Sequence, residues 1–365
     1  MRLRRFWLYL LAAAVCAAAC ENGALAQAVL PKSKTTRDWV KYPAVVEMAG
    51  AEILYAVGDV HGDYDRLVTL LSAAKIIAGP PQWADRPKWN AGRAVLVCTG
   101  DLIDKGKDCL KVIAFFHALR AEARKSGGCV VVTMGNHEAE FLADPEAPKS
   151  ADFRDELTHH GVDFHKVAAG LDEQGYGRYL RSLPLAARVG DWFFVHAGNT
   201  GGRTVRQLDA DLRAGIDSDG FGSRILADND SLLEARLHPL PWWEKPADKD
   251  HPDDSRKRLA QLVAALGVKH LVMGHQPGDV HFSDHAFRKQ GELYQKFDGL
   301  IFLIDCGMSR GIGNMGSGYS TGAVLHVQHD KATALFPDGS SKVLWVQSGG
   351  AAAPVHAVQN SAAAK

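Results

Sequence analysis

The sequence has no excess of basic residues. Its 365 residues include 42 Lys and Arg against 42 Asp and Glu, so the formal net charge is zero with neutral histidines. Proteins that bind nucleic acids use basic patches to neutralise phosphates. The even balance gives no sign of such a surface, and we predict no nucleic-acid partner.

Long apolar runs and cysteine pairs are also absent beyond the N-terminal segment. No stretch after residue 26 is long and apolar enough to span a membrane, so we expect no transmembrane helix once that segment is removed. None of the six cysteines forms a C-x-x-C pair, which argues against a zinc-thiolate site. Cys98 and Cys129 lie at predicted strand edges and are interpreted as small apolar side chains, while spacing alone leaves a disulfide open.

The first 26 residues have the pattern of an export signal. Three arginines precede an apolar stretch over residues 6–19, and Ala24-Leu25-Ala26 matches an A-x-A cleavage site. We therefore expect a mature chain that begins at Gln27 and is periplasmic or secreted. A lipoprotein with lipid on Cys20, or an uncleaved anchor, is the alternative.

The rest of the chain alternates between strand and helix patterns. We interpret residues 27–50 as a linker or lead-in, 51–347 as one domain, and the Ala-rich residues 348–365 as a disordered tail. Strand, helix and strand alternate between residues 53 and 134, which indicates parallel pairing, and residues 144–182 read as a helical insertion. Because the final third is rich in strands, we predict an α/β (α+β) fold: a two-layer mixed β-sandwich flanked by helices.

Five predicted strands end in polar side chains that can bind metals. Three have glycine-bounded motifs, namely Gly58-Asp59-Val60-His61-Gly62, Gly100-Asp101-Leu102-Ile103-Asp104 and Gly135-Asn136-His137-Glu138, and two end at His196 and His275. Ligands of such sheets collect beyond the carboxyl ends of the strands. A single D-x-H, or either of these histidines alone, could equally be a cap or a buried structural residue. Together they predict a mixed nitrogen and oxygen site suited to zinc, iron or manganese, and a metal pair suits phosphoester hydrolysis.

At these residues the chain resembles the calcineurin-like metallophosphoesterases, and most of all their phosphoprotein phosphatase branch and the bacterial Shewanella-like phosphatases. The likeness runs in order over about residues 52–310. It implies two divalent transition-metal ions, one held by Asp59, His61 and Asp101, the other by Asp101, Asn136, His196 and His275. A hydroxide that bridges the metals would attack phosphorus directly. His137, paired with Asp104, would protonate the leaving oxygen.

Two positions depart from the phosphatase branch. Lys105 stands where the branch has arginine, which keeps a positive charge but loses the bidentate fork. Next to Trp242-Trp243, Glu244-Lys245 stand where the branch has its later phosphate-binding arginine, and Arg203 is taken as a substitute. The predicted contacts to the substrate phosphate are therefore Lys105, Asn136 and Arg203.

The leading hypothesis is a dinuclear phosphomonoester hydrolase whose substrate is a phosphorylated protein carrying phosphoserine, phosphothreonine or phosphotyrosine. The first alternative is a hydrolase of nucleotides or other small phosphoesters, because nothing in the loops separates these substrates. An alternative of another class is a non-catalytic binding module that keeps its metals for structure. The presence of His137 with Asp104 argues against it, since a structural site needs no proton donor.

Overall fold

The structure, a computed structural model, describes residues 37–313 and 317–347. The predicted signal peptide, the first part of the predicted lead-in and the predicted tail at 348–365 lie outside the described residues and stay predictions. Among the described residues, no helix has both the length and the apolar character that a membrane crossing requires.

Two six-stranded sheets form the centre of the domain. The first has the strand order β1-β5-β6-β7-β11-β10, with β1 (Val45–Met48), β5 (Ala186–Val189), β6 (Trp192–Val195), β7 (His270–Met273), β10 (Tyr294–Lys296) and β11 (Ile301–Leu303). The second has the order β14-β13-β12-β2-β3-β4, with β2 (Ile53–Val57), β3 (Val95–Cys98), β4 (Cys129–Val132), β12 (Val324–Gln328), β13 (Lys331–Leu335) and β14 (Ser341–Val346). A separate small hairpin joins β8 (Val280–His281) to β9 (Phe287–Arg288).

Helices follow several of the strands. They are α1 (Tyr64–Ala73), α2 (Cys109–Lys125), α3 (Asn136–Ala143), α4 (Ala151–His159), α5 (Phe164–Ala169), α6 (Tyr176–Ser182), α7 (Val205–Asp219), α8 (Arg224–Ala227) and α9 (Pro252–Ala265). Helices α4 to α6 lie within residues 144–182, where the sequence predicted helical structure. Helix α1 ends at Ala73, and the chain turns two residues later, where Lys75 has a φ of 59°.

The central strands are buried on both faces. In β2, Leu54 and Ala56 belong to the core between the sheets, whereas Val57 packs in the core under the helices. In β6, Phe194 faces the inner core and Phe193 the outer one. Because side chains alternate along a strand, one run of apolar residues supplies both cores. The predicted two-layer mixed sandwich flanked by helices is confirmed.

The domain begins before residue 51, where the sequence analysis placed its start. Val45–Met48, which the sequence placed in the lead-in, is strand β1 and pairs in parallel with β5. Ala44 and Val45 are buried in the core. The segment is short, and its partner lies about 140 residues further on, so no local pattern revealed the pairing.

The four cysteines that the structure describes are free thiols. Cys98, Cys109 and Cys306 are buried and Cys129 is half-buried. Burial raises the pKa of the Cys98 thiol above its usual range, which keeps it protonated at neutral pH. The interpretation of Cys98 and Cys129 as small apolar side chains fits this placement.

Parallel strands from both sheets end at one edge of the sandwich. In the second sheet β2, β3 and β4 run parallel, and in the first sheet β6, β7 and β11 run parallel. The carboxyl ends of parallel strands meet at the same edge of a sheet, so the polar residues that follow them come together. This edge carries the candidate site.

Candidate metal centre

A cavity of about 340 Å³ opens at this edge. Five of the six predicted metal ligands line it directly: Asp59, His61, Asp101, Asn136 and His275. His196 lies beneath them and is fully buried. The six predicted ligands are each at most 4% exposed, so water is largely excluded from their side chains.

Two groups of potential ligands share one carboxylate. The first contains His61, Asp101 and His137, and the second contains Asp101, His196 and His275. Within each group the ligand atoms lie within 4.8 Å of one another. Asp101 is common to both, as expected of a residue that bridges two ions.

Nitrogen and oxygen atoms that could bind a metal through their lone pairs converge around His196. Its Nε2 lies 3.0 Å from Asn136 Oδ1, 3.0 Å from His275 Nδ1 and 3.5 Å from Asp101 Oδ2. Its Nδ1 is 2.9 Å from the carbonyl oxygen of Thr99 and donates its hydrogen there, which leaves Nε2 as the unprotonated nitrogen. Nitrogen and oxygen atoms packed this way repel one another unless a cation lies between them, so these residues fit a divalent metal.

His61 is oriented in the same manner. Its Nδ1 is 2.9 Å from the carbonyl oxygen of Ile103, and its Nε2 points towards Asp101 Oδ2 at 3.4 Å. The backbone N–H groups of Val60 and His61 in turn donate to the carbonyl oxygen of Asp101. The loops after β2 and β3 are therefore joined through their backbones as well as through their side chains.

Asp59 connects the two sheets. Its carboxylate oxygens accept the backbone N–H of His275 at 3.1 and 3.2 Å. Gly274 permits this approach, because a Cβ there would lie only 2.3 Å from Asp59 Oδ1. Gly135 has the same function beside Asp101, where a Cβ would lie 2.0 Å from Oδ1. The glycines of the motifs are thus required by close packing against the carboxylates.

Burial shifts the pKa of each acidic or histidine side chain among the six predicted ligands towards the neutral form. Burial, reinforced by neighbouring carboxylates, raises the pKa of Asp59 and Asp101 well above the usual range. It lowers the pKa of His196 to about 3 and that of His61 well below the usual range. Neutral imidazoles are the form that binds metals, and a cation would offset the charge of the ionised carboxylates.

Glu138 holds the second and third motifs together. Its Oε1 accepts the backbone N–H of Leu102 at 2.7 Å and of Ile103 at 3.2 Å, and its Oε2 accepts those of Gly135 at 2.8 Å and Asp101 at 3.0 Å. The residue is completely buried. One carboxylate therefore satisfies four backbone donors in two loops.

His137, a member of the first group, pairs with Asp104, as the sequence predicted. Its Nδ1 is 2.8 Å from Asp104 Oδ2, while Asp104 Oδ1 accepts the backbone N–H of Phe153 at 3.0 Å. Burial lowers the pKa of His137 to about 4 and raises that of Asp104 to about 7. Both shifts favour the neutral form of each group, so a proton is retained between them up to about neutral pH.

Three cationic side chains line the cavity. Lys105 is one of them, as predicted, and the others are Lys149 and Arg236. Lys149 Nζ is 2.5 Å from Glu140 Oε1, and an Arg236 nitrogen is 3.5 Å from Glu234 Oε2. These side chains are half exposed, in contrast to the buried ligands below them.

The predicted role of Arg203 is wrong. Arg203 does not line this cavity; it borders a separate cleft with Asn199 and Arg224 and forms an ion pair with Asp211 at 2.7 Å. It lies just before α7, which carries it away from the strand ends. Arg236, in a segment without regular structure, takes the place that the sequence analysis assigned to Arg203.

Sequence reasoning missed Asp305, Lys149 and Arg236, all of which line the cavity. Asp305 had a usable signal, because it follows strand β11 as Asp59 follows β2. Lys149 lies in a single helical turn at Pro148–Ser150. Nothing in the local sequence around Lys149 or Arg236 distinguishes them from other surface cations.

Comparison with known proteins agrees with this geometry. A family model described as calcineurin-like phosphoesterase matches residues 54–279. An uncharacterized protein of Schizosaccharomyces pombe is 42% identical over 295 residues, which cover 74% of this chain and 74% of that protein. Shewanella-like protein phosphatase 1 of Plasmodium berghei is 24% identical over 270 residues, covering 70% of this chain and 67% of that protein.

A solved structure has the same fold. The cold-active protein-tyrosine phosphatase of a psychrophilic Shewanella species matches with a TM-score of 0.63 and 22% identity, covering 83% of this chain and 82% of that chain. The chain described here belongs to the calcineurin-like phosphoesterase family. It is a metal-dependent phosphatase, and it carries the two groups of potential metal ligands described above, which share Asp101.

Proposed function

We propose that this phosphatase holds two divalent transition-metal ions and hydrolyses phosphomonoesters of proteins. The observation that carries the proposal is the cavity in which two ligand groups share Asp101, beside the His137–Asp104 pair and below three cations. The likeness to Shewanella-like protein phosphatase 1 supports phosphoproteins as the substrate class.

The residues of the chain divide into two ligand sets. Asp59, His61 and Asp101 would hold the first ion, and Asp101, Asn136, His196 and His275 would hold the second. Manganese, iron and zinc suit this mixture of imidazole, carboxylate and amide ligands. When bound, such ions supply a nucleophile from water at neutral pH and stabilise the charge that develops on the phosphoryl group.

The rim would bind the phosphate. Arg236, Lys105 and Lys149 border the cavity, and their positive charge attracts a phosphate dianion towards the ligands below. Arg236 offers a planar fork that matches two phosphate oxygens, whereas each lysine acts as a single point of charge. Asn136, predicted to contact substrate as well as metal, lies at the base of the same cavity.

His137 would act on the leaving group. Its Nδ1 is engaged with Asp104, so its Nε2 is the nitrogen that is available to the cavity. The proton on Nε2 would pass to the leaving oxygen while the proton held by Asp104 moves to Nδ1, so the ring stays neutral and oriented. This arrangement counts against the alternative of a binding module with structural metals, because such a module gains nothing from an oriented proton donor.

A substrate panel tests the proposal. The purified full-length chain is assayed with manganese on phosphoserine, phosphothreonine and phosphotyrosine peptides, on nucleotides and on a phosphodiester. We expect kcat/KM for at least one peptide class to exceed that for nucleotides by at least about tenfold, which corresponds to 1.4 kcal/mol. An Asp101→Asn preparation controls for contaminating phosphatases. A preference for nucleotides would favour the small-phosphoester alternative instead.

A further inference from the structure

We propose that Asp305 is a further ligand of the ion assigned to Asp59 and His61. This inference rests on the dinuclear site proposed above. It extends that site by a residue that belongs to none of the sequence motifs, and it gives the first ion four protein ligands, the same number as the second.

Asp305 lies beside Asp59, the first of the ligands assigned to that ion. It follows β11 by two residues, is 1% exposed and lines the same cavity as Asp59 and His61. The strand ends approach closely here, since a Cβ on Gly58 would lie 2.8 Å from the Cα of Asp305. Glycine at position 58 thus allows the two aspartates to come together.

The carboxylate of Asp305 is only half satisfied. Its Oδ1 accepts the backbone N–H of Gly307 at 2.8 Å. Its Oδ2 is buried and receives no hydrogen bond from any described residue. The neighbouring acid is Asp59, close enough to share a hydrogen bond if one of the two were protonated. Two buried carboxylates side by side are unfavourable unless a proton or a cation compensates them.

The nearby buried cation does not bind this oxygen. The guanidinium of Arg288 is fully buried, yet it donates to backbone carbonyl oxygens, those of Gln276, Gly278, Glu292 and Asp305. It fixes the backbone of Asp305 and leaves Oδ2 without a hydrogen bond. Arg288 therefore holds the backbone of Asp305 in place, and the unpaired carboxylate oxygen belongs to a residue that lines the cavity beside Asp59.

Metal binding by the Asp305→Asn variant tests whether a cation or a shared proton compensates the neighbouring carboxylates of Asp59 and Asp305. The variant keeps the shape and one oxygen of the side chain but removes its charge. Metal content is measured by elemental analysis after dialysis, and Mn²⁺ binding to the chelator-treated full-length chain is measured by calorimetry. We expect one of the two binding steps to weaken at least about tenfold, the usual scale for losing a residue that supports a metal site, while the other keeps its affinity.

Asp172→Asn is the matched control. Asp172 is also a buried carboxylate that accepts backbone N–H groups, from Tyr176 and Gly177, and it lies in the helical insertion away from the cavity. We expect this control to bind both ions as the natural chain does. If Asp305→Asn does not fold, Asp305→Glu replaces it, and that longer carboxylate should again change the affinity of one ion only.

The outcomes separate the two proposals. Two ions bound with unchanged affinity in Asp305→Asn, or in Asp305→Glu where that variant is used, would overturn the role of Asp305 and favour a proton shared with Asp59. Equal loss of affinity in both metal-binding steps would also overturn that role, because a ligand of one ion should weaken the binding of that ion only. Fewer than two ions in the natural chain would instead contradict the dinuclear function itself.

Discussion

The floor and the rim of the cavity are built differently. The floor consists of buried side chains, each oriented by a backbone group: His61 by Ile103, His196 by Thr99 and Asp59 by His275. The rim consists of half-exposed cations, two of which pair with acidic side chains: Lys149 with Glu140 and Arg236 with Glu234. The strand ends of the sandwich therefore fix the positions of the metal ligands, whereas the rim is carried by loops outside the sheets.

Removal of the shared ligand should have the largest effect. Asp101→Asn takes the charge from the one residue common to both ligand groups. We expect kcat to fall by about a thousandfold or more, since metal ions supply several kcal/mol to such reactions. Metal content should fall in parallel. Asp108→Asn, which alters a half-buried carboxylate paired with Lys111, is the control and should retain both. Two retained ions in Asp101→Asn would show that the floor does not depend on a bridge.

Loss of the proton donor should have the next largest effect. His137→Ala is expected to lower kcat by about 10²–10⁴, the usual contribution of general acid catalysis. Metal content should stay the same, because His137 is assigned to the leaving group. His137 also lies in a ligand group with His61 and Asp101. Elemental analysis is therefore decisive, and loss of one ion would mean that His137 is a ligand.

The rim should respond through substrate binding. Arg236→Ala is expected to lower kcat/KM by about 10- to 100-fold, because hydrogen bonds to charged groups contribute about 1.5–3 kcal/mol. The change should appear mainly in KM, with both ions retained. Arg203→Ala is the matched control, since Arg203 borders another cleft. Equal losses in the two variants would contradict the assignment of Arg236 to the phosphate.

An improved phosphate contact at the rim should have the smallest effect. Lys105→Arg restores a planar fork at an exposed position of the cavity edge. Exposed ion pairs contribute at most about 1 kcal/mol, so we expect KM to fall by no more than about fivefold. The change in KM is measured by steady-state kinetics on the preferred substrate of the panel. A large drop in kcat would show instead that Lys105 belongs with the floor.

The same difference between floor and rim explains which residues of the cavity could be predicted from the sequence. The floor residues each follow a run of apolar, β-branched residues, so a local sequence pattern identifies them. The alternation of strands and helices indicates parallel strands, whose carboxyl ends lie at one edge of a sheet. Arg236 lies in an irregular segment and Lys149 in a single helical turn, and only the path of the chain in space brings them to the cavity. No local pattern carries that information, and Arg203 was chosen in their place for the same reason.

Two further errors have other causes. Asp305 was missed because it belongs to none of the motifs; β11 ends at Leu303, and the carboxylate two residues later lies beside Asp59. Strand β1 was missed because its pairing with β5 spans most of the first half of the chain. Both errors concern where a strand ends or pairs, which depends on neighbours distant in sequence.

The four hydrogen bonds to Glu138 have a consequence for how ions enter. Because this carboxylate fixes the loops after β3 and β4 during folding, the entropy of ordering them is lost before any ion arrives. Ion capture then requires little rearrangement and should be fast. Exchange of one transition metal for another should leave the backbone unchanged, so availability in the surroundings, more than the protein, would decide which element the enzyme carries.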